Sequence, residues 1–368
     1  MIYADNAATT KLDKEAFEAM SAFLLEEYGN ASQPYFFSRS AKKALSESRS
    51  RIAECLGANP EEIFFTSCGT ESDNWAIKIG SQRGNHIVTT EIEHHAVLKS
   101  CLAMEKQGKT VTYLPVSKTG EVNPKILEAS ILDDTGMVSI MFANNEIGTI
   151  QPIAELAKIT HKKNVLFHTD AVQAVGHINM NVHSDDIDLL SASAHKFNGP
   201  KGIGFLYIRK GVDIDSFIDG GLQERGLRAG TENVASIVAM SIALKNNCKE
   251  IEKNKKHLTE LERVLLSMLS QAGIDYIRNG SSNRVPGNIS LSFRNSEGEM
   301  LLHRLDLHGI CISTGSACNS QSTQLSHVIK AIAVPDDYSK GTIRISFGRY
   351  NTVEEAEKIA LTLIKILI

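Results

Sequence analysis

Residues 61–91 read EEIFFTSCGTESDNWAIKIGSQRGNHIVTTE. The first part, EEIFFTS, is short, apolar and rich in Ile and Phe, which predicts a strand. The middle, GTESDNWAIKIGSQRG, spaces its apolar residues as a helix does and closes on a glycine. HIVTTE then returns to β-branched residues. Strand, helix and strand in about 30 residues is the unit of a parallel sheet, because the helix must carry the chain back across the sheet before a parallel neighbour can form.

The same alternation continues outward. A helix is expected over HHAVLKSCLAMEKQG (94–108) and another over PIAELAKITHKKN (152–164). Strands are expected at TVTYLPV (110–116), MVSIMFANNE (137–146), VLFHTDA (165–171), IDLLSASA (187–194) and GIGFLYI (202–208). Seven strands alternating with helices predict an α/β fold with a mainly parallel seven-stranded sheet. From about 247 the texture changes. Ile251, Leu258, Leu261, Leu265 and Met268 recur at helical spacing among Lys and Glu, so a long amphipathic helix is expected. Two short strands, NISLSF and TIRISFGRY, a helix near 299–308 and a terminal helix from Thr352 suggest a smaller α+β domain.

The 368 residues are 42% hydrophobic and 22% charged, the balance of an ordinary globular enzyme. A net charge of −4 gives no basic surface for nucleic acid. No apolar run is long enough for a transmembrane helix, and MIYADNAATT lacks the basic and apolar segments of a signal peptide. Six cysteines without a C-x-x-C pair fit reduced thiols in a cytoplasmic setting.

In sheets of this kind ligands bind beyond the carboxyl ends of the strands. Several reactive residues fall there. Lys196 follows a strand in SASAHKFNGPKG (191–202), where its neighbours are small or apolar. Asp170 ends another strand, with Gln173 close behind, and Asn145 follows a third. Gly69 and Thr70 open a helix, whose free N–H groups and positive dipole suit a phosphate. His94 and His95 stand after a fourth strand. A lysine for covalent attachment, a carboxylate for a ring nitrogen, a phosphate cradle and an imidazole for the ring face together describe a pyridoxal phosphate site. Taken singly, each residue has a plainer reading. Asp170 fits a cap for the next helix, His94 and His168 fit core histidines, and His168-x-Asp170 fits a metal pair without a third ligand of suitable spacing. Arg344 fits a strand surface.

The chain resembles the cysteine desulfurases of the NifS/IscS type, which are pyridoxal phosphate enzymes of fold type I in the class-V aminotransferase family. The matching motifs run nearly end to end. They are YADNAATT (3–10), GN (29–30), GTESDN (69–74), EHHAV (93–97), NNEIG (144–148), HTDAVQ (168–173), SAHKFNGPKGIG (193–204), RAGTEN (228–233), STGSAC (313–318) and IRISFGRY (343–350). The resemblance implies that Lys196 anchors the cofactor and moves the substrate α-proton, with Asp170 on the ring nitrogen and His94 on the ring face. Asn145 and Gln173 would meet the ring oxygen. Gly69, Thr70, Ser193 and His195 would hold the phosphate, joined by Thr231 from a partner subunit of a homodimer. Arg344, with Asn30, would bind the substrate carboxylate, and Arg349 competes for that part. Residues 14–250 would form the large domain, with 1–13 and 251–368 in the small one. After Asn30 the chain reads ASQPYFFSR, where the family more often shows Pro-Ser-Ser and then a histidine.

The implied reaction converts L-cysteine to L-alanine and leaves the sulfur on the enzyme as a persulfide. Cys318 lies in CISTGSACNSQS (311–322), among serines and a glycine, which suits a thiol that must both attack and deliver. Cys68 is its closest rival, since Cys55, Cys101 and Cys248 fall in helical patterns and Cys311 in an apolar run. An acceptor protein, such as an iron–sulfur scaffold or a sulfurtransferase, would then take the sulfur. The same fold also serves selenocysteine lyases and cysteine-sulfinate desulfinases, and a partner without turnover in a sulfur-transfer complex is a third expectation.

Overall fold

The computed structural model describes residues 1–314 and 325–368. Strand β1 (Ile2–Tyr3) is followed by helices α1 (Lys14–Leu25) and α2 (Arg39–Leu56). Helix α2 stops at Gly57, whose φ of 67° is open to glycine at low cost. The alternating region then comprises β2 (Ile63–Thr66), α3 (Gly69–Arg83), β3 (His86–Thr90), α4 (His95–Glu105), β4 (Thr110–Leu114), α5 (Pro124–Ser130), β5 (Thr135–Ser139), α6 (Ile153–His161), β6 (Leu166–Asp170), β7 (Leu189–Ser193) and β8 (Gly204–Ile208). Their order in the sheet is β2-β8-β7-β6-β5-β3-β4. Only β8 runs against its neighbours. The seven-stranded, mainly parallel sheet is the one expected from the alternation. Apart from the edge strand β4, its strands are buried almost throughout, as in sheets covered by helices on each side.

The remaining elements are α7 (Val234–Gln271), β9 (Tyr276–Arg278), β10 (Asn288–Phe293), α8 (Gly298–Leu307), β11 (Ile310–Cys311), α9 (His327–Ala331), α10 (Asp336–Ser339), β12 (Thr342–Ser346) and α11 (Val353–Leu367). An antiparallel sheet of order β12-β10-β9 and the parallel pair β1-β11 complete the topology. Helix α11 starts at a capping box, in which Thr352 and Glu355 each bond the other's backbone N–H.

Two differences from the sequence reading concern boundaries. The amphipathic helix expected from about 247 begins at Val234. Its first half buries Ile237, Ala239, Met240 and Leu244 in the core of the large sheet, while Leu258, Leu261, Leu265 and Leu269 serve the core of the small one. The strand expected to reach Glu146 ends at Ser139. Beyond it only single ladder bonds continue, from Ile140 N–H to the His168 carbonyl and from Phe142 N–H to the Asp170 carbonyl.

A charged clasp ties the end of α6 to the sheet. His161 places Nδ1 2.7 Å from an Asp186 carboxylate oxygen and Nε2 2.7 Å from one of Asp188. Both nitrogens can donate only in the imidazolium, so bonds to Asp188 first, then to Asp186, raise the pKa above the ordinary histidine value. A raised folded-state pKa means that the stabilisation is fully present below the unfolded value and fades as pH rises through the folded one. His161→Gln is therefore expected to lower stability most in mildly acidic buffer, by roughly 1–3 kcal/mol as for hydrogen bonds to charged groups. The gap from wild type should close above neutrality. Denaturant midpoints of both proteins across that range check this, and a gap that widens with pH would contradict it.

Candidate active site

The carboxyl ends of β6 and β7, the start of α3 and the turn before α4 surround a cavity of about 320 Å³. Lys196 enters it from the short helical turn that follows β7. Its Nζ donates to the carbonyls of Ala7 and Ala8, at 2.6 and 2.8 Å. The N-terminal segment is thus wrapped over the lysine, and Thr10 secures it by donating to the His195 carbonyl.

Asp170 stands at the end of β6, where its carboxylate accepts the Val172 N–H at 2.9 Å. Burial pushes its pKa up to about 6, with that bond and Lys196 pulling the other way. Asp73, in the first turns of α3, is also fully buried. Burial and the Asp170 charge hold it well above the carboxylate range, and its Oδ1 has no hydrogen-bond partner among the described residues. His168 lies two residues before Asp170. Its ring nitrogens meet the hydroxyls of Ser139 and Ser191, at 2.8 and 3.0 Å. Burial drives its pKa down to about 3, so it is a neutral, satisfied core histidine.

Helix α3 starts without a side-chain cap. Its N-cap residue, Cys68, is extended and makes no capping bond, and the first helical hydrogen bond is from Ser72 N–H to the Cys68 carbonyl. Cys68, Gly69 and Thr70 line the cavity, so this helix end opens into it. A Cβ at Gly69 would lie 2.6 Å from Val172 Cγ2, so the close approach of α3 to the β6 end requires glycine. Ser193, at the end of β7, and His195 line the same part of the cavity. Burial, then Lys196, lowers the His195 pKa to about 4.

His94 is the N-cap of α4. Its Nδ1 accepts the Ala96 N–H at 3.2 Å, which leaves the ring proton on Nε2. Burial and Lys196 lower its pKa to about 4, so the ring is neutral. Gln173 donates to the Ala7 carbonyl, and the Asn145 carbonyl accepts from Arg344 at 2.9 Å. Arg344, on β12, is almost fully buried and also bonds Asp5 at 2.8 Å. Its Nε is enclosed without a partner among the described residues. A buried guanidinium with a donor to spare fits an incoming carboxylate. Arg349 is drawn away to Asp13 and lines a different crevice.

Of the residues expected from the sequence, Gly69, Thr70, His94, Asn145, Asp170, Gln173, Ser193, His195, Lys196 and Arg344 line this one cavity. Asn30 and Thr231 are not among its lining. The Asn30 side chain accepts the Ser32 N–H. Thr231 is exposed on a loop whose preceding residues are fastened from below. There Glu224 forms a two-pronged pair with Arg49, and Arg228 forms another with Glu71 of α3. Cys318 lies outside the described residues. Sequence reasoning did not single out Asp5, Asp73, Glu93, Glu146 or His327. Glu93 and Glu146 are buried acids, and burial raises both, Glu93 to about 8. The signal available for them was position within motifs already recognised, EHHAV and NNEIG.

The donor set fits pyridoxal phosphate. An uncapped helix start suits the phosphate, a buried carboxylate suits a ring nitrogen, a neutral imidazole suits a ring face, and the lysine projects into the same space.

Comparison with known proteins agrees with this geometry. Residues 2–359 match the family model of class-V aminotransferases. The cysteine desulfurase IscS of Dictyoglomus turgidum is 50% identical over 359 residues, covering 96% of this chain and 91% of the relative. That of Methanosarcina thermophila is 48% identical over 362 residues, covering 97% and 90%. Among solved structures, a NifS-like protein superposes with a TM-score of 0.94 at 40% identity, over 100% of this chain and 99% of its own. SspA in complex with cysteine gives 0.84 at 32% identity, over 96% and 100%. With cavity, topology and sequence in agreement along nearly the whole chain, the protein belongs to the class-V aminotransferase family.

Proposed function

We propose that the protein is a pyridoxal phosphate-dependent cysteine desulfurase. It takes L-cysteine to L-alanine and passes the sulfur to Cys318 as a persulfide. The observation that carries this reading is that one cavity joins Lys196, Asp170, the uncapped start of α3 and the buried, donor-rich Arg344. Relatives named for the same activity span almost the whole chain, which supports it further.

Each residue has a defined task in this reading. Gly69 and Thr70, with Ser193 and His195, hold the phosphate of the cofactor. Asp170 faces its ring nitrogen, and a cation there offsets the desolvation that raises this carboxyl. Bound in this way, pyridoxal phosphate supplies an electron sink that makes the substrate α-proton removable. Lys196 accepts that proton from Cα and returns it. Arg344 fixes the substrate carboxylate and so aims the Cα–H bond at Lys196. The Cys318 thiolate attacks the substrate sulfur. An S–S bond forms and the Cβ–S bond breaks. The electron pair of the broken bond goes to Cβ, which takes a proton to become the alanine methyl. One L-cysteine and one enzyme thiol thus give one L-alanine and one persulfide, with no external oxidant. The persulfide then passes to an acceptor protein, and Thr231 completes the phosphate site of a second copy in a homodimer.

Purified protein supplied with pyridoxal phosphate, L-cysteine and a reductant is expected to release alanine and sulfide in equal amounts. Sulfide without alanine would refute the reaction. Among the described residues no helix is long and apolar enough to cross a membrane.

A further inference from the structure

The tasks above leave one wall of the cavity without a part, formed by His95, Glu146 and His327. His95 opens α4 and His327 opens α9, and their ring centroids lie 5.0 Å apart. His327 holds Nε2 3.0 Å from the Glu93 carbonyl. A carbonyl only accepts, so the proton is on Nε2 and the Nδ1 of a neutral ring carries a lone pair. His95 has an enclosed Nδ1 with no partner among the described residues. Glu146 is buried, and its Oε2 accepts from Ser326 at 2.6 Å. Burial holds both imidazoles below the ordinary histidine value, so both are neutral near pH 7.

The Nδ1 lone pair of His327, with the neutral His95 ring and the Glu146 carboxyl beside it, gives this wall an acceptor and no cation. Such a wall suits a group that is uncharged and has a hydrogen to donate. An oxidised sulfur anion has neither property and would meet lone pairs and a carboxyl instead of cations. With the substrate carboxylate held by Arg344 and its amino end at Lys196, the side chain is the part left to meet this wall. We infer that His95 and His327 form a thiol subsite, which recognises the S–H of L-cysteine and selects it over sulfinate and over the methyl group of the alanine product. This inference rests on the proposed function and adds the source of its selectivity. The same discrimination helps the product to leave, because alanine offers the wall no donor.

The test uses the cofactor-loaded protein carrying Cys318→Ser, so that L-cysteine is bound without being consumed. Affinities for L-cysteine, L-alanine and L-cysteine sulfinate are read from the change in cofactor absorbance, in this protein and with His95→Phe or His327→Phe added. His95→Phe is the cleaner variant, since the His95 Nδ1 bonds nothing that must be replaced. The expected result is a loss of roughly tenfold in L-cysteine affinity in either variant, the size of one hydrogen bond, with L-alanine unchanged. A third variant, His95→Lys, is expected to gain affinity for sulfinate. Equal weakening of L-cysteine and L-alanine, or no change in either, would overturn the subsite. Failure of the wild-type protein to form alanine would instead overturn the proposed function, and the ligand affinities would still report on this wall.

Discussion

Lys196→Ala is expected to abolish turnover of L-cysteine and to leave no cofactor covalently attached to the chain. Two losses combine. The variant has no amine to form the link, and it has no base at Cα. Removing a positioned acid–base group alone costs roughly 10²–10⁴-fold in rate. Structure should survive the change, because the Ala7 and Ala8 carbonyls that accept from the lysine lie at the edge of a cavity that water can enter. Borohydride reduction followed by mass analysis of the peptide around residue 196 checks the result. Wild type should carry the cofactor mass on that peptide and the variant should not. A cofactor adduct on the variant at wild-type yield would mean that another amine is the anchor.

Cys318→Ser is expected to separate cofactor chemistry from sulfur transfer. The hydroxyl that replaces the thiol is a poor nucleophile toward sulfur and cannot form a persulfide. The variant should therefore keep the visible absorbance of the bound cofactor, and the absorbance should still respond to L-cysteine, while sulfide release falls to background. Trapping with a thiol-alkylating reagent after addition of substrate should find an extra sulfur on the wild-type peptide alone. If the variant works at the wild-type rate, the carrier is a different thiol. Cys68 is then the one to test, because its residue lines the cavity at the start of α3. Cys101 is excluded by chemistry, since burial pushes its thiol up to about 12 and keeps it protonated.

How much of this was legible in the sequence depended on the kind of signal. The sheet was readable because buried parallel strands are short apolar runs with helices between them, and each of the seven runs matched a strand of the large sheet. The residues at the strand ends were readable for the same reason, since Lys196, Asp170 and Gly69 stand where such runs stop. Helix α7 was half legible. Its second half has a polar face and therefore a period. Its first half, VASIVAMSIAL, is buried broadly and has almost none, so its start could not be located. The buried acids Asp73, Glu93 and Glu146 gave no signal beyond their place in recognised motifs, because an acidic residue near a helix start or in a turn is ordinarily solvated. Only the tertiary structure closes water off from them. Arg344 and its partner Asp5 are 339 positions apart, and no local pattern connects them.

That separation has a consequence for the order in which the protein is made. Residues 2–5 pair with β11 and β12, and the next few lie across Lys196 and its neighbours. Residues 2–5 are thus held by residues synthesised some 300 or more positions later, as Asp5 is by Arg344, 339 positions on. At about 5–20 residues per second, the N-terminal segment waits on the order of tens of seconds for its partners. The large sheet, complete by Ile208, is available to form well before then. Between the synthesis of Ile208 and that of β12, the nascent chain can therefore hold a formed sheet with an unfinished pocket. The cavity around Lys196 is closed only once β12 has supplied Arg344, so maturation of the site is timed by that strand.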